Sequence, residues 1–566
     1  MTTSQGQGAG APIVDWWADG DSPVHTDARI AYYVDGRMFL QAFCRHLLLA
    51  QQYIYLANWG MTATMTLVRG TDWRAGPDGS PEQEALIAKL RAEGLAEPEI
   101  AFWTTQPLTL QNVLGYMVGK GVEVKVLIWD AVEEFMPLDP AKACELLRAV
   151  GVTCLLDDSS RGLVRHPTEA LHQKMSVVDG LHAFVGGIDP LIEHTGDFDR
   201  WDTQAHLYAN PLRANSLGQT GHPWHDVHTH VMGPAAGDVE RNFRQRWNDV
   251  VKRHNLNAEL LVPEHPLAPP MESEMVTQVA RTIPPDTYSF APQGIQGIAQ
   301  LYNHAFSNAQ SFIYLENQYF WYRAYTGLDI PFLGPDSPDM ERNIHDIAGA
   351  LQRGASFAIV LPDHPNVGRA FTDVGLKLLH SLAPQADLQG KIQAFCLGTS
   401  TQEPGEAHYR PIYVHAKVAI IDDLWSTNGS ANLNNRGMRN DAEINAAALD
   451  TRLAHGLRML LWAEHLGLLD EERLFELGRL LSQEYLSPQE QARAIQSWQY
   501  LQETIGDPQI GMRLLVQRAW ENLQRYKAKQ PLIGHLLPYL TAEQATEEGL
   551  PFQEEHGWIE EVPSPS

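Results

Sequence analysis

Short apolar stretches alternate with amphipathic ones along most of the chain, and this pattern predicts its secondary structure. Segments 53–59, 122–129 and 152–157 are apolar runs of strand length, and they predict buried strands. Amphipathic spacing between them predicts helices, one of which starts after the capping residue Ser80. Strands that alternate with helices indicate an α/β fold, with a mixed β-sheet flanked by helices on both faces.

The same order of predicted elements returns in the second part of the chain. The repeat consists of strand 312–319, helix 343–353, strand 356–361, helix 371–382 and strand 391–396. A Pro-rich segment separates the two series, and the chain after about residue 451 has mainly helical spacing. We therefore predict two similar halves and a helical C-terminal extension. The predicted units are a flexible N-terminus (1–25), a first half (26–254), a linker (255–274), a second half (275–455) and the extension (456–566).

A polar motif of fixed spacing occurs once in each half. Each copy has a histidine, a lysine two residues later and an aspartate seven residues after the histidine: His172, Lys174 and Asp179, then His415, Lys417 and Asp422. A pair of small residues follows at one offset, Gly186 and Gly187 or Gly429 and Ser430, and then a polar residue, Asp189 or Asn432. Two copies in one register indicate function rather than chance.

This spacing suits chemistry on a phosphate group. On a strand, His415 and Lys417 point to the same face, so an imidazole stands beside a fixed positive charge. The lysine can bind phosphate oxygens while the histidine acts on phosphorus or on the leaving oxygen. Asp422 ends the strand on the opposite face, and we interpret it as structural support. The small residues let the backbone approach an anion, and Asn432 can donate to a phosphate oxygen, which an ionised Asp189 cannot do.

The doubled motif resembles that of the phospholipase D superfamily. Segments 223–247, 313–320, 461–467 and 534–539 are similar to those of its eukaryotic, plant-type branch, and the resemblance covers about residues 28–550. It implies two α/β halves packed as a pseudo-twofold pair that brings the two histidines together. It also implies a catalytic core without the N-terminal lipid-binding domain of plant relatives.

The resemblance implies covalent catalysis in two steps. His172 is the implied nucleophile, which forms a phosphohistidine, and His415 is the implied general acid and base. Lys174, Lys417 and Asn432 are expected to bind the phosphate.

Each histidine needs a carboxylate that fixes its tautomer. Asp202 lies 30 residues after His172, and Glu443 lies 28 residues after His415. Acidic residues at about these offsets have this role in relatives, and Asp441 is a rival for the second position.

No metal or other cofactor is expected for this mechanism. The cluster His225, His228 and His230 leaves two alternatives open, a metal site or imidazoles that line the site and satisfy core hydrogen bonds. The motif around Glu316 is expected near the active site. The aromatic segment 320–325 fits either lipid contact at the rim of the site or a buried cluster.

The net charge of −27 argues against a nucleic-acid partner and against simple electrostatic adhesion to anionic lipid. The four cysteines form no C-x-x-C pair, and the sequence contains neither a secretory signal nor an apolar run of membrane-spanning length. We expect a cytoplasmic protein with peripheral membrane contact, and leaderless export stays open. Since one chain carries both motifs, we expect an active monomer.

The expected function is a phospholipase D that hydrolyses glycerophospholipids such as phosphatidylcholine to phosphatidic acid and a free head group, and that transfers the phosphatidyl group to alcohols. The alternatives are a phosphatidyltransferase of the cardiolipin-synthase kind and, less favoured by the net charge, a nucleic-acid phosphodiesterase. A non-enzymatic scaffold would predict a broken motif, yet all six core positions are intact.

Overall fold

Two β-sheets carry the fold, and each is built mainly from one half of the chain. The computed structural model describes residues 15–131, 138–160, 170–193, 198–213, 220–323, 336–365, 367–554 and 556–559. The strands are β1 (Val24–His25), β2 (Arg29–Val34), β3 (Tyr53–Asn58), β4 (Glu123–Trp129), β5 (Thr153–Asp157), β6 (Met175–Val178), β7 (His182–Gly186), β8 (Trp224–His225), β9 (Val227–Met232), β10 (Val276–Ile283), β11 (Ile295–Gln296), β12 (Phe312–Asn317), β13 (Ser356–Val360), β14 (Ile392–Gln402), β15 (Ala407–Val414), β16 (Lys417–Ile421), β17 (Trp425–Gly429), β18 (Glu443–Leu449) and β19 (Leu536–Pro538).

Helices connect these strands and dominate the C-terminal region. They are α1 (Asp35–Leu49), α2 (Pro81–Ala92), α3 (Glu97–Thr105), α4 (Leu110–Gly119), α5 (Pro140–Ala149), α6 (Ala236–Arg253), α7 (Gly297–Asn308), α8 (Pro338–Arg353), α9 (Arg369–Leu382), α10 (Pro384–Leu388), α11 (Thr451–Leu466), α12 (Glu471–Leu481), α13 (Pro488–Ile505), α14 (Pro508–Lys527) and α15 (Ala542–Glu547). The predicted cap at Ser80 is confirmed, because its side chain accepts a hydrogen bond from the Gln83 amide at the start of α2. Among the described residues, none of the helices combines the length and the apolar composition needed to span a bilayer.

Seven strands of each sheet follow the same spatial order. The first sheet has the order β2-β9-β7-β6-β3-β4-β5, and the second contains β10-β18-β17-β16-β12-β13-β14. The last three strands of each series, β3-β4-β5 and β12-β13-β14, are parallel to one another. The other neighbouring pairs in both series are antiparallel. The predicted fold class, two similar α/β halves related by a pseudo-twofold axis, is confirmed.

The two sheets share one apolar core because each strand presents alternate residues to its two faces. Val177 and Ile420 belong to the central core, in which side chains of both halves pack together. Their neighbours Val178 and Ile421 belong to the outer cores, beneath the helices of the first and second half respectively. Helices α1, α4 and α5 cover the outer face of the first sheet and α7, α8 and α9 that of the second, whereas α6 and α11 add side chains to the central core. The interface between the sheets is where groups from the two halves meet.

The structure corrects two of the predicted units. Residues 15–25 were expected to be flexible, but Trp16 is buried and stacks on Trp425, with ring centroids 6.2 Å apart. Strand β1 also pairs with β10, because the apolar anchor and the strand edge together hold this segment on the second half. The C-terminal extension is not wholly helical, since β19 returns to pair with β14.

Helix α12 and the residues that follow it connect the C-terminal extension to the first half. The Arg37 guanidinium donates to Glu471 over 2.8 Å, and the Arg45 guanidinium donates to Glu484 over 2.5 Å. The Tyr33 hydroxyl also donates to Glu484 over 2.9 Å. These contacts hold α1 between the first sheet and the extension.

Candidate active site

The two motif histidines meet at the interface between the sheets. His172 stands just before β6, and His415 stands just before β16, the equivalent strand of the second half. Their ring centroids lie 6.5 Å apart with an interplanar angle of 67°. Only 12% of the His172 side chain and 8% of the His415 side chain are exposed. The fold thus brings the two copies of the motif into one site.

Each imidazole is held by a carboxylate from the opposite half. The Nδ1 atom of His172 lies 2.9 Å from Glu443 Oε1, and the Nδ1 atom of His415 lies 2.7 Å from Asp226 Oδ2. Glu443 opens β18, while Asp226 directly precedes β9, which is the equivalent strand of the first half. A proton shared with the carboxylate at Nδ1 leaves Nε2 of each ring as the nitrogen available for chemistry.

The predicted pairing of these carboxylates by distance along the chain was wrong. Asp202 does not contact His172; it accepts from the Trp224 amide over 2.9 Å and from Arg213 over 2.8 Å, and it lies 3.1 Å from His206. Glu443 supports the histidine of the first half rather than that of its own half. The number of residues between a histidine and a carboxylate of the same half does not indicate which carboxylate of the other half contacts that histidine across the interface.

Asp226 was missed by the sequence analysis, although it lies within the family-like segment 223–247. Its position in the repeat could have identified it, because Asp226 directly precedes β9 in the first half and Glu443 opens the equivalent strand β18 in the second. The rival Asp441 accepts from the Ala170 amide over 2.8 Å and pairs with Arg436 over 2.9 Å, so it supports the backbone beside the site.

The two lysines of the motif are fully buried, each beside the histidine of its own half. Lys174 Nζ donates to the His172 carbonyl over 2.8 Å and lies 3.3 Å from Asp189 Oδ2, whereas Lys417 Nζ donates to the His415 carbonyl and lies 3.4 Å from Gln318 Oε1. Burial lowers the pKa of Lys174, and it lowers the pKa of Lys417 to about 7. Two desolvated ammonium groups in one site are suited to an anionic phosphodiester.

The electrostatics of the site keep both imidazoles neutral at pH 7. Burial and then the charge of the neighbouring lysines lower the pKa of His172 and of His415 well below the usual range. Burial raises the pKa of Asp226 to about 6 and that of Glu443 well above its usual value. A phosphodiester anion would offset the positive charge of the lysines, and it would raise the pKa of both imidazoles.

The glycines of the motif serve close packing rather than anion binding, which corrects their predicted role, whereas the Ser430 hydroxyl donates to Glu443. The Gly187 amide donates to the Val227 carbonyl over 3.2 Å, so it is not available to an anion. A Cβ atom on Gly187 would lie 2.0 Å from Asp226 Oδ1, and one on Gly429 would lie 2.2 Å from Asn445 Oδ1. The motif needs small residues because the strands that carry the carboxylates pass so near.

Asn432 and Asp189 hold equivalent positions but have different surroundings. Asp189 Oδ1 accepts from the Asn58 side chain over 3.1 Å, and Oδ2 lies beside Lys174. Asn432 is 7% exposed, and its Oδ1 has no hydrogen-bond partner among the residues that the structure describes. The two halves are therefore unequal at the last polar position of the motif.

The motif aspartates lie one strand length away from the histidines. Asp179 accepts hydrogen bonds of 2.7–2.8 Å from three successive amides, those of residues 51–53, and Asp422 accepts three bonds of 2.8 Å from those of residues 310–312. Both aspartates have positive φ, 53° and 57°. They fasten the starts of β3 and β12 to the motif strands β6 and β16, with which these strands pair, and they do not touch the reacting groups.

A second polar cluster contains donors that could hold a divalent cation. Asp35, His206, His225 and Glu464 place one ligand atom each within 4.8 Å of one another, and all four are buried. His225 Nδ1, Asp35 Oδ2 and Glu464 Oε2 have no hydrogen-bond partner among the described residues, although His225 Nδ1 lies 3.0 Å from Glu464 Oε1. Carboxylates also hold the outer ring nitrogens, since Glu316 lies 2.9 Å from His225 Nε2. Burial alone would lower the pKa of His206 and of His225, but the surrounding carboxylates raise it well above its usual value. The cluster is therefore satisfied as a buried ion-pair network, and a cation would have to displace the protons that these two rings hold.

The positions of the side chains decide between the alternatives for the three histidines of segment 225–230. His225, His228 and His230 do not form one cluster: His225 belongs to the cluster around Asp35, His228 stacks on Phe39 with ring centroids 3.7 Å apart, and His230 stacks on Phe184.

In the aromatic segment 320–325, Phe320 and Trp321 are buried, and Trp321 packs on Phe371. The last two residues of that segment lie outside the described part of the chain.

Comparisons with known proteins agree with this geometry. The phospholipase D family model matches residues 103–329, and the model for the cardiolipin synthase, phospholipase D-like domain matches residues 302–462. Phospholipase D alpha 2 of Oryza sativa subsp. japonica is 28% identical over 563 residues, covering 78% of this chain and 65% of that protein. Phospholipase D alpha 1 of Zea mays is 26% identical, covering 75% of this chain and 62% of that protein. The chain thus spans less than two thirds of the length of these curated relatives.

Among solved structures, a phosphatidylserine synthase of Haemophilus influenzae matches with a TM-score of 0.39 and 13% identity, over 75% of this chain and 83% of that one. The two family models together extend over both copies of the motif, and the curated relatives span both halves. The chain therefore belongs to the phospholipase D superfamily.

Proposed function

We propose that the protein is a phospholipase D that hydrolyses glycerophospholipids such as phosphatidylcholine to phosphatidic acid and a free head group. The observation that carries the proposal is the pair of buried imidazoles 6.5 Å apart, each backed by a carboxylate of the other half and flanked by a buried lysine. The similarity to plant phospholipases D supports the choice of a phospholipid as substrate.

In the first step, Nε2 of His172 attacks phosphorus and the bond from phosphorus to the head-group oxygen breaks. His415, protonated when substrate is bound, donates its proton to that oxygen. Glu443 stabilises the positive charge that develops on His172, and Lys174, Lys417 and Asn432 bind the non-bridging oxygens. The product of this step is a phosphohistidine that carries the phosphatidyl group.

In the second step, His415 removes a proton from water, and the water oxygen attacks phosphorus. The bond between phosphorus and His172 breaks, which releases phosphatidic acid and restores both imidazoles. A primary alcohol in place of water gives the transferred phosphatidyl ester by the same route, which is the basis for the proposed transphosphatidylation.

The second candidate function is that of a phosphatidyltransferase, in which the acceptor alcohol belongs to another lipid. The match of residues 302–462 to the cardiolipin synthase, phospholipase D-like domain favours it. The net charge of −27 disfavours a nucleic-acid substrate for either reaction.

Peripheral contact with a membrane and activity as a monomer belong to the same proposal. Both histidines, both lysines and both supporting carboxylates come from one chain, which supports a site that needs no second copy.

The test is incubation of the purified chain with phosphatidylcholine vesicles and ethanol. We expect phosphatidic acid and phosphatidylethanol from the wild type and neither from His172→Ala or His415→Ala. His345→Ala is the matched control, because His345 is an exposed histidine of α8 whose Nδ1 atom lies 2.8 Å from the Glu341 carbonyl of its own helix turn. No phosphatidyl product from any common phospholipid would refute the proposal, and product only with a lipid alcohol would favour the transferase.

A further inference from the structure

Three imidazoles converge at the end of the first sheet that lies away from the catalytic histidines. His46 comes from α1, His182 opens β7, and His230 lies in β9. Strand β7 has five residues and runs from His182 towards Gly187 and Asp189 at the catalytic site, so the two sites are about 15 Å apart along the strand. The proposed mechanism uses none of these three histidines.

The three rings form a nearly regular triangle. The ring centroids of His46 lie 4.8 Å from those of His182 and His230, and the latter two lie 5.1 Å apart. One ring nitrogen of each residue lies within 4.8 Å of the others, and His182 Nδ1 is hydrogen-bonded to His230 Nε2 over 3.0 Å, a bond that an ion at the centre would replace. Bonds of about 2.0–2.1 Å to a tetrahedral zinc ion separate its nitrogen ligands by about 3.3 Å. Small side-chain rotations would therefore place all three nitrogens on one ion.

Hydrogen bonds at the outer nitrogens point the inner ones towards the centre of the triangle. His46 Nδ1 lies 2.8 Å from the Ala42 carbonyl, which fixes the proton there and leaves Nε2 as a lone pair. His230 Nδ1 lies 3.3 Å from the Tyr33 hydroxyl, whose own proton goes to Glu484. The hydroxyl oxygen must then accept from His230 Nδ1, which leaves Nε2 of that ring unprotonated as well. Such outer partners are typical of histidines that bind a metal.

The charge around the triangle permits a cation. Burial is the main cause that lowers the pKa of His46 to about 3, and burial also lowers the pKa of His182 and of His230, so the rings are neutral at pH 7, the form that binds metals. Arg45 and Arg479 lie nearby, but Arg45 pairs with Glu484 over 2.5 Å, and Arg479 pairs with Glu93 and with Glu484. These two arginines and two glutamates cancel one another.

The opening of the triangle is at His182. His46 and His230 are 8% and 4% exposed, whereas His182 is only partly buried and follows the exposed Leu181. A small hydrated ion can reach the three nitrogens from this side, and solvent can complete its coordination.

We infer that His46, His182 and His230 form a binding site for a divalent transition-metal ion such as Zn²⁺, with three imidazole ligands and one solvent ligand. Because the ligands come from α1, β7 and β9, the bound ion would fasten α1 onto the first sheet. This inference does not depend on the proposed reaction.

The test is titration of the metal-free full-length chain with Zn²⁺ and with Co²⁺, which follows the number of ions bound and, for Co²⁺, the visible absorption. His182→Gln removes one ligand at the partly exposed corner, and His182→Cys replaces the imidazole with a thiolate that also binds these ions. His345→Gln is the matched control. We expect the wild type to bind one ion tightly, and the affinity of that site to fall by about tenfold or more in His182→Gln, because even the loss of a residue that supports a metal ligand has an effect of this size. That site should be retained in His182→Cys under reducing conditions and in His345→Gln.

The cluster around Asp35 is a separate set of donors, and binding there would be equal in all four proteins. Equal stoichiometry and affinity of the wild type and His182→Gln would therefore overturn the inference. Thermal unfolding gives a second measurement on the same proteins, because an ion bound only to the folded state raises the melting temperature. A Zn²⁺-dependent rise in the wild type that is lost in His182→Gln supports the site, and an equal rise in both contradicts it.

Discussion

Asp226 and Glu443 decide which nitrogen of each paired imidazole holds a proton. Each lies within 2.9 Å of an Nδ1 atom, and each reaches its histidine from the other half of the chain. The motif residues could be predicted from sequence because they lie close together along one strand. Asp226 could not, because its partner, His415, is 189 residues away and only the packing of the two sheets brings them together.

Replacement of Asp226 with Asn tests its support of the His415 imidazole, and replacement of Asp202 tests a carboxylate whose contacts are structural. The amide cannot favour the Nδ1–H tautomer or stabilise an imidazolium, so we expect Asp226→Asn to lower kcat by about 10²–10⁴-fold. Asp202→Asn, whose contacts are structural, should lower the free energy of unfolding while the folded protein keeps most of its kcat. Steady-state kinetics on both variants, with denaturation curves, check this. Equal losses of kcat would contradict the assignment.

The lowered pKa of Lys417 leads to a prediction about the pH dependence of the proposed reaction. Burial lowers its pKa to about 7, and only the protonated ammonium attracts the phosphate. The protonated fraction falls as pH rises, so kcat/KM of a soluble short-chain phosphatidylcholine should decline above about pH 7, by about tenfold per pH unit.

Lys417→Arg serves as the control for this pH profile, because a guanidinium keeps its charge throughout the range. We expect a lower plateau of kcat/KM and an alkaline limb at higher pH. A wild-type profile that stays flat to about pH 9 would show that Lys417 does not control binding.

At the scale of the elements, the repeated aspartate joins the motif strand to its neighbour in the sheet, which is β3 in the first half and β12 in the second. Asp179 binds three amides at the start of β3, and Asp422 binds three at the start of β12. Apolar runs and helix caps were sufficient to predict most strands and helices and their repeated order. The pairing order could not be predicted, because alternation along a strand defines its faces but not its neighbours.

Removal of either Asp179 or Asp422 should lower the free energy of unfolding without affecting the catalytic steps. Hydrogen bonds to a charged acceptor contribute about 1.5–3 kcal/mol when buried, and these are partly exposed, so we expect Asp179→Ala and Asp422→Ala each to cost about 2–4 kcal/mol. Urea denaturation measures the loss, and kcat of the folded variants should change little. Asp78→Ala, at a surface carboxylate that is 85% exposed, is the control with a cost below about 1 kcal/mol. Similar curves for all three variants would refute this role.

At the scale of the whole molecule, the C-terminal extension stabilises the first half through buried ion pairs. Glu484 binds Arg45 and Arg479 and accepts from Tyr33. Burial alone would raise the pKa of Glu484, but the two arginines lower it, so the carboxylate is charged in the folded protein. The extension looked helical in sequence, yet nothing in helical spacing indicates which surface a helix covers.

Glu484→Gln should leave two buried guanidinium groups without one of their carboxylates. A broken buried ion pair costs about 3–5 kcal/mol, so we expect a fall of this size in the free energy of unfolding, measured with urea. Glu472→Gln is the matched control, because that carboxylate is 70% exposed. If both variants unfold at the same urea concentration, the extension does not stabilise the first half in this way.

The repeated seven-strand order has a consequence for the direction of the reaction cycle. The scaffold presents the two imidazoles in nearly the same way, so it does not by itself choose which one carries the phosphoryl group. In the proposed mechanism the choice falls to places where the halves differ, among them Asp189 beside Lys174, Gln318 beside Lys417, and the supporting carboxylates Glu443 and Asp226. In that mechanism, the identity of the nucleophile is set by a few exchangeable side chains rather than by the strand order that the two halves share.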